Sequence, residues 1–181
     1  MIEELSMAQS LADVILHFVF STKGRNLWIQ SDVEEELYQY ISGVCRNLDS
    51  PVIKINGVED HIHLLLQLGR TISISKLISE IKSSSSQWIK TKGDHYRDFA
   101  WQGGYGGFSV SRPNLEGVKK YLSSQKEHHK TVTFKEEFLT LLQRAQIPYD
   151  EKYLWLRHEA MMESCLPRSG DHLYSKMNLG L

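Results

Sequence analysis

The sequence has little cysteine, little proline, almost no net charge and no long apolar run, and each shortage excludes a class of protein. Two cysteines among 181 residues, Cys45 and Cys165, make no disulfide framework and point to a reducing cytoplasm. Four prolines, with 41% apolar and 24% charged residues, separate the chain from disordered or fibrous proteins and predict a globular one. The longest apolar stretch, Leu11 to Phe20, carries Asp13 and His17 and is too short to span a membrane. No secretory signal is expected, because Glu3 and Glu4 stand where such a segment would be basic. A formal net charge of −1 excludes a sequence-blind nucleic-acid binder driven by charge alone, while leaving room for a local basic groove.

What is present is a regular alternation of strand and helix patterns. Val14, Ile15, Phe18, Val19 and Phe20 predict a buried strand over Leu11 to Ser21, ending at Thr22-Lys23-Gly24. A helix follows, with Ser31 and Glu34 in capping-box spacing and Val33, Leu37, Tyr40, Ile41, Val44 and Leu48 at helical intervals. Asp49-Ser50-Pro51 breaks it, and Val52-Ile53-Lys54-Ile55 predicts a second strand that turns at Asn56-Gly57 into a third, Asp60 to Leu68. Ile74, Leu77, Ile78 and Ile81 mark a second helix to about Lys90, with Ser83 to Ser86 on a closely packed face. The glycine-rich segment Phe99 to Ser111 ends in a fourth strand. Pro113 opens a helix through Val118, Tyr121, Leu122 and Gln125, and Phe134, Phe138, Leu141 and Leu142 define another at about 133–145. The order β-α-β-β-α-β predicts an α+β, ferredoxin-like antiparallel sheet with two helices on one face and further helices at the C-terminal end.

Within the third strand lies His61-Ile62-His63. Successive side chains of a strand alternate faces, so the two imidazoles point the same way with Leu65 and Gln67, while Ile62, Leu64, Leu66 and Leu68 turn toward the helices. That pairing predicts a metal-binding edge on the open face of the sheet, wanting a third ligand. Tyr121 and Gln125, four residues apart on one helix, share a face. A phenol can serve as a nucleophile, and a glutamine carbonyl can ligate a hard divalent ion, but the same spacing also suits a core tyrosine. His17 shares a face with Ile15 and Val19 and is expected to pack near the metal edge. Helix-end capping is expected of His128 and His129, with contact behind the metal ligands as the alternative.

Asp60-His61-Ile62-His63, Trp101-Gln102 through Tyr105-Gly106-Gly107-Phe108-Ser109-Val110-Ser111, and Val118-Lys119-Lys120-Tyr121-Leu122-Ser123-Ser124-Gln125 together resemble the single-tyrosine HUH transposases of small single-stranded-DNA insertion sequences. The opening His17 to Arg25 is similar to that family's first strand. Enzymes acting on repeated extragenic palindromes share the pattern, and the likeness runs from about residue 11 to 155. It implies a transposase domain over 1–155, with a ferredoxin-like core at about 11–127, and a C-terminal tail over 156–181. It also implies cleavage and rejoining of single-stranded DNA with hairpin ends through a covalent 5′-phosphotyrosine at Tyr121. His61, His63 and Gln125 would hold Mg²⁺ or Mn²⁺, no nucleotide cofactor would be needed, and the protein would act as a homodimer away from membranes. Lys23, Arg25 and Arg112 are candidate DNA contacts. Alternatives of other classes are a non-catalytic single-strand-binding module on the same fold and a metallohydrolase that activates water. His158 and His172 receive no role.

Overall fold

The computed structural model describes residues 11–150 together with Leu154. The chain falls into two compact units, Met1–Pro148 and Tyr149–Leu181, and the elements below belong to the first. The expectations for Cys165, for His158 and His172, and for the tail over 156–181 lie outside the described residues.

Four strands, β1 (Ile15–Ser21), β2 (Val52–Val58), β3 (His61–Gln67) and β4 (Gly106–Val110), form one antiparallel sheet in the order β2-β3-β1-β4. The helices are α1 (Glu34–Asn47), α2 (Ile74–Lys90), α3 (Leu115–Ser123), α4 (Gln125–His128) and α5 (Phe134–Arg144). This is the expected α+β, ferredoxin-like order, and its central strands are β3 and β1. Strand alternation divides the core as the sequence pattern requires. Leu16, Phe18 and Phe20 of β1 and Ile62, Leu64 and Leu66 of β3 pack with Leu37 and Ile41 of α1 and Leu77, Ile78 and Ile81 of α2. On the opposite face, Ile15 and Leu65 pack with Leu122 and Tyr121 of α3. Ser85, inside the serine run, is fully buried on α2; its hydroxyl donates to the Ile81 carbonyl and accepts from Trp101 Nε1 at 2.9 Å. Among the described residues no helix is long and apolar enough to cross a membrane.

Four local readings change. The β2–β3 turn falls at Glu59-Asp60 rather than Asn56-Gly57. Gly57 instead pairs with Ile62, where an added Cβ would lie 2.2 Å from the His61 carbonyl oxygen, so its lack of a side chain permits close approach of the two strands. Ser31 makes no capping box. The helix begins at Glu34 with no side-chain cap, and the Glu34 carboxylate is drawn instead to the Tyr38 hydroxyl at 3.0 Å and the Lys126 ammonium at 2.5 Å. The helix that bears Tyr121 stops at Ser123, because the Ser124 amide and hydroxyl both donate to the Tyr121 carbonyl, and Gln125 opens the short α4. Finally, the histidine face of the sheet is not open: Phe134, Glu137, Gln125 and Leu122 cover it, and His61 and His63 are both 0% exposed.

Candidate metal and nucleophile site

β3 delivers His61 and His63 to one face, and its neighbour β1 adds His17 beside them. Val19 stands across from His63 and Ser21 across from His61, so the register sets His17 diagonally behind the pair. The His17 Nε2 lies 2.9 Å from His63 Nδ1, with the rings stacked. Burial pushes His17 down to a pKa of about 3, which keeps it a neutral partner. Next to the strand's start, Asp60 accepts from His61 Nδ1 at 2.6 Å and from Arg25 at 2.9 and 3.0 Å. Burial raises the Asp60 carboxyl, but the His61 and Arg25 contacts outweigh it and hold the group below its usual range.

α3 is anchored over this face by Asn56 of β2, whose side-chain amide donates to the Leu122 carbonyl at 2.6 Å. That contact places the adjoining Tyr121 with its ring centroid 5.8 Å from that of His63 and 6.3 Å from that of His17. α4 brings in Gln125, fully buried, and His128 and His129 follow. α5 supplies the group on which all of these converge. Thr133 and Glu136 close a capping box that starts α5, and one turn in, Glu137 turns its carboxylate into the cluster.

Glu137 Oε1 accepts from the Tyr121 hydroxyl and from Gln125 Nε2 at 3.0 Å. Its Oε2 lies 3.2 Å from His63 Nε2, 3.6 Å from His61 Nε2 and 3.2 Å from His129 Nε2, and His128 Nε2 is 3.5 Å from Oε1. Burial alone would raise the Glu137 carboxyl, but the close imidazoles of His129, His61 and His63 hold it far below the usual carboxylate range. Burial and the adjacent Glu137 push Tyr121 well above an ordinary phenol, so the proton stays on the tyrosine. Burial lowers His61, yet Asp60 and Glu137 outweigh it and raise the imidazole overall; for His63 burial prevails and the shift is downward.

Four buried polar atoms here have no hydrogen-bond partner: His61 Nε2, Gln125 Oε1, His128 Nε2 and His129 Nε2. Such orphans are costly unless something satisfies them. The ligand atoms of His61, His63, His129 and Glu137 all lie within 4.8 Å of one another, so the group could hold a metal ion, and its orphaned nitrogens fit one.

The structure thus brings Tyr121, His61, His63 and Gln125 together within one chain. The cationic candidates stand differently. Arg25 is bound to Asp60 and lies over the Phe134 ring at 5.2 Å, so it braces the residue that braces His61. Arg112 pairs with Asp13 at the exposed start of the chain's described part, and Lys23 lies exposed in the turn after β1. Sequence reasoning missed Glu137 and gave His129 a helix-end cap first, with contact behind the metal ligands as the alternative. A signal for Glu137 existed: it falls three residues after Phe134 and four before Leu141, a carboxylate set within an apolar helical stripe.

Residues 10–125 match the model of a family described as IS200-like transposases. Among solved structures, the chain is similar to a transposase candidate from Deinococcus radiodurans R1, at 18% identity and a TM-score of 0.53, over 66% of this chain and 96% of that one. It is also similar to a REP-associated tyrosine transposase bound to a REP hairpin, at 15% identity and a TM-score of 0.53, over 70% of this chain and 75% of that one. At these identities the two structures speak for the fold. No curated protein matches the chain.

Proposed function

Because this chain belongs to the IS200-like transposase family, we propose that it cleaves and rejoins single-stranded DNA through Tyr121, with a divalent ion held by His61, His63 and Gln125. The observation that carries this reading is the meeting of nucleophile and ligands on one carboxylate. The Tyr121 hydroxyl and the two imidazoles of the histidine strand all contact Glu137.

Tyr121 Oη attacks phosphorus, the P–O3′ bond breaks, and a 5′-phosphotyrosine and a free 3′-hydroxyl result. Attack by a second 3′-hydroxyl reverses the step and joins strands, so no nucleotide cofactor is consumed. Glu137 Oε1 already accepts the phenolic hydrogen and can receive the proton as the O–P bond forms. With Tyr121 raised and Glu137 lowered, the proton rests on the tyrosine before the reaction. When bound, the ion, Mg²⁺ or Mn²⁺, supplies positive charge that polarises a phosphate oxygen. Tyr121 is only half-buried while the histidines are sealed, so the DNA backbone approaches from the tyrosine side.

The hairpin held by the structurally similar REP-associated enzyme makes single-stranded DNA with hairpin ends the substrate of this reading. Lys23, Arg25 and Arg112 are its proposed backbone contacts, Arg25 after release from Asp60. A homodimer acting on DNA in the cytoplasm completes the proposal. The test is incubation with single-stranded hairpin oligonucleotides and Mn²⁺. Wild type is expected to nick the single strand and to retain DNA on denaturing gels, and Tyr121→Phe to do neither. Nicking that survives Tyr121→Phe would replace the tyrosine with water and contradict the reading.

A further inference from the structure

The hydrogen bonds behind the histidines decide which nitrogens are free. Asp60 is a carboxylate and can only accept, so His61 Nδ1 carries the hydrogen of their 2.6 Å bond, and in the neutral ring Nε2 is a bare lone pair. The Val132 carbonyl likewise only accepts, so His129 Nδ1 donates to it at 2.8 Å and His129 Nε2 is bare as well. His63 differs: its Nε2 donates to Glu137 Oε2 at 3.2 Å and its Nδ1 therefore accepts from His17 Nε2 at 2.9 Å, so an ion would displace one proton from His63 to take a third Nε2 lone pair. Pinning Nδ1 to an oxygen or a second ring while Nε2 points inward is how proteins orient imidazole ligands.

The separations agree. Nε2 of His61, His63 and His129 stand 3.2 to 3.6 Å from Glu137 Oε2. Adjacent ligands on one ion, each about 2.1 Å from it, stand roughly 3.0 to 3.5 Å apart. His61 Nε2 and His129 Nε2 have no hydrogen-bond partner, and the rings of these two residues lie edge to face at 4.5 Å.

We infer that His129 and Glu137 join His61 and His63 as metal ligands, making a three-imidazole, one-carboxylate centre that takes a first-row transition ion in preference to Mg²⁺. The inference rests on the metal-dependent reading above and goes past it in ligands and ion. Both added ligands lie beyond residue 125, where the family match ends. Imidazole nitrogen suits manganese, cobalt and zinc, whereas Mg²⁺ prefers oxygen ligands and keeps its waters. Glu137 then spans the centre, with Oε2 toward the ion and Oε1 on Tyr121 and Gln125.

The test needs no DNA. Mn²⁺ added to the purified full chain is read by pulsed electron paramagnetic resonance, which counts coupled imidazole nitrogens, and by calorimetric titration. Three coupled imidazoles are expected in wild type and two in His129→Ala. Mn²⁺ is expected to bind at least tenfold tighter than Mg²⁺, and His129→Ala and Glu137→Gln each to lose at least tenfold in Mn²⁺ affinity. Two imidazoles in wild type, or Mg²⁺ binding as tightly as Mn²⁺, would overturn the inference even if a variant failed to fold. Affinity lost only in Gln125→Ala would also overturn it while leaving the cleavage reading intact, since that reading stands or falls on the Tyr121 adduct.

Discussion

Glu137 is the residue through which the site holds together. It is buried, charged and contacted by Tyr121, Gln125 and four imidazoles, an arrangement that only a dense set of donors or a cation can stabilise. The histidine pair was legible in the sequence because strand alternation puts residues two apart on one face. Glu137 was not, because its partners are 74 and 12 residues away in the chain and no local spacing links them. His129 is a related case: its place one turn past Gln125 suits a cap, whereas its Nδ1 bonds the Val132 carbonyl and its Nε2 faces Glu137, contacts that no local spacing announces. A prediction belongs at this scale. Asp60 fixes the tautomer of His61, so Asp60→Ala is expected to weaken Mn²⁺ binding by roughly 10- to 100-fold in a titration, with the secondary structure unchanged. Unaltered affinity would show that the bond does not orient a ligand.

At the scale of elements, among the described residues the sequence pattern located the four strands and α1, α2, α3 and α5 but not α4, and errors collected where side chains compete with local rules. Asn56-Gly57 is a strong turn signal, yet here the asparagine holds α3 and the glycine admits the neighbouring strand. The continuous helix expected through Gln125 breaks at Ser124, which hydrogen-bonds back to Tyr121. That break lets α4 turn Gln125 into the cluster. α5 matters most, since it carries Glu137 from a capped N-terminus. Thr133→Ala removes the Thr133 half of the capping box and is expected to cost about 1 kcal/mol of stability in urea unfolding. A loss near zero would mean that packing of Phe134 and Leu142 alone fixes the helix.

At the scale of the molecule, a ferredoxin-like sheet sends its two conventional helices to one face and uses α3, α4 and α5 to seal chemistry onto the other. The β-α-β-β-α-β order was readable, while the covering of the second face was not, because it depends on where the chain goes after the last strand. The helix-backed side holds a half-buried charge of its own. Lys82 Nζ donates to the Gln102 and Gly104 carbonyls above the Phe20 ring, and burial lowers its pKa from 10.5 to about 8. Between those values the unfolded chain binds more protons than the folded one, so stability rises with pH across the window, by at most about 1.4 kcal/mol per pH unit. Wild type should therefore gain on Lys82→Met in urea midpoint between pH 8 and pH 10, and parallel curves would contradict this account of Lys82.

The central claim is that Tyr121, held over the histidine strand, becomes covalently joined to DNA. The most direct measurement is mass spectrometry of peptides from wild-type protein incubated with a single-stranded hairpin oligonucleotide and Mn²⁺, after nuclease trimming of the bound strand. A 5′-phosphonucleotide on Tyr121 is the predicted result; cleaved DNA with Tyr121 unmodified, or the adduct on another residue, would contradict it.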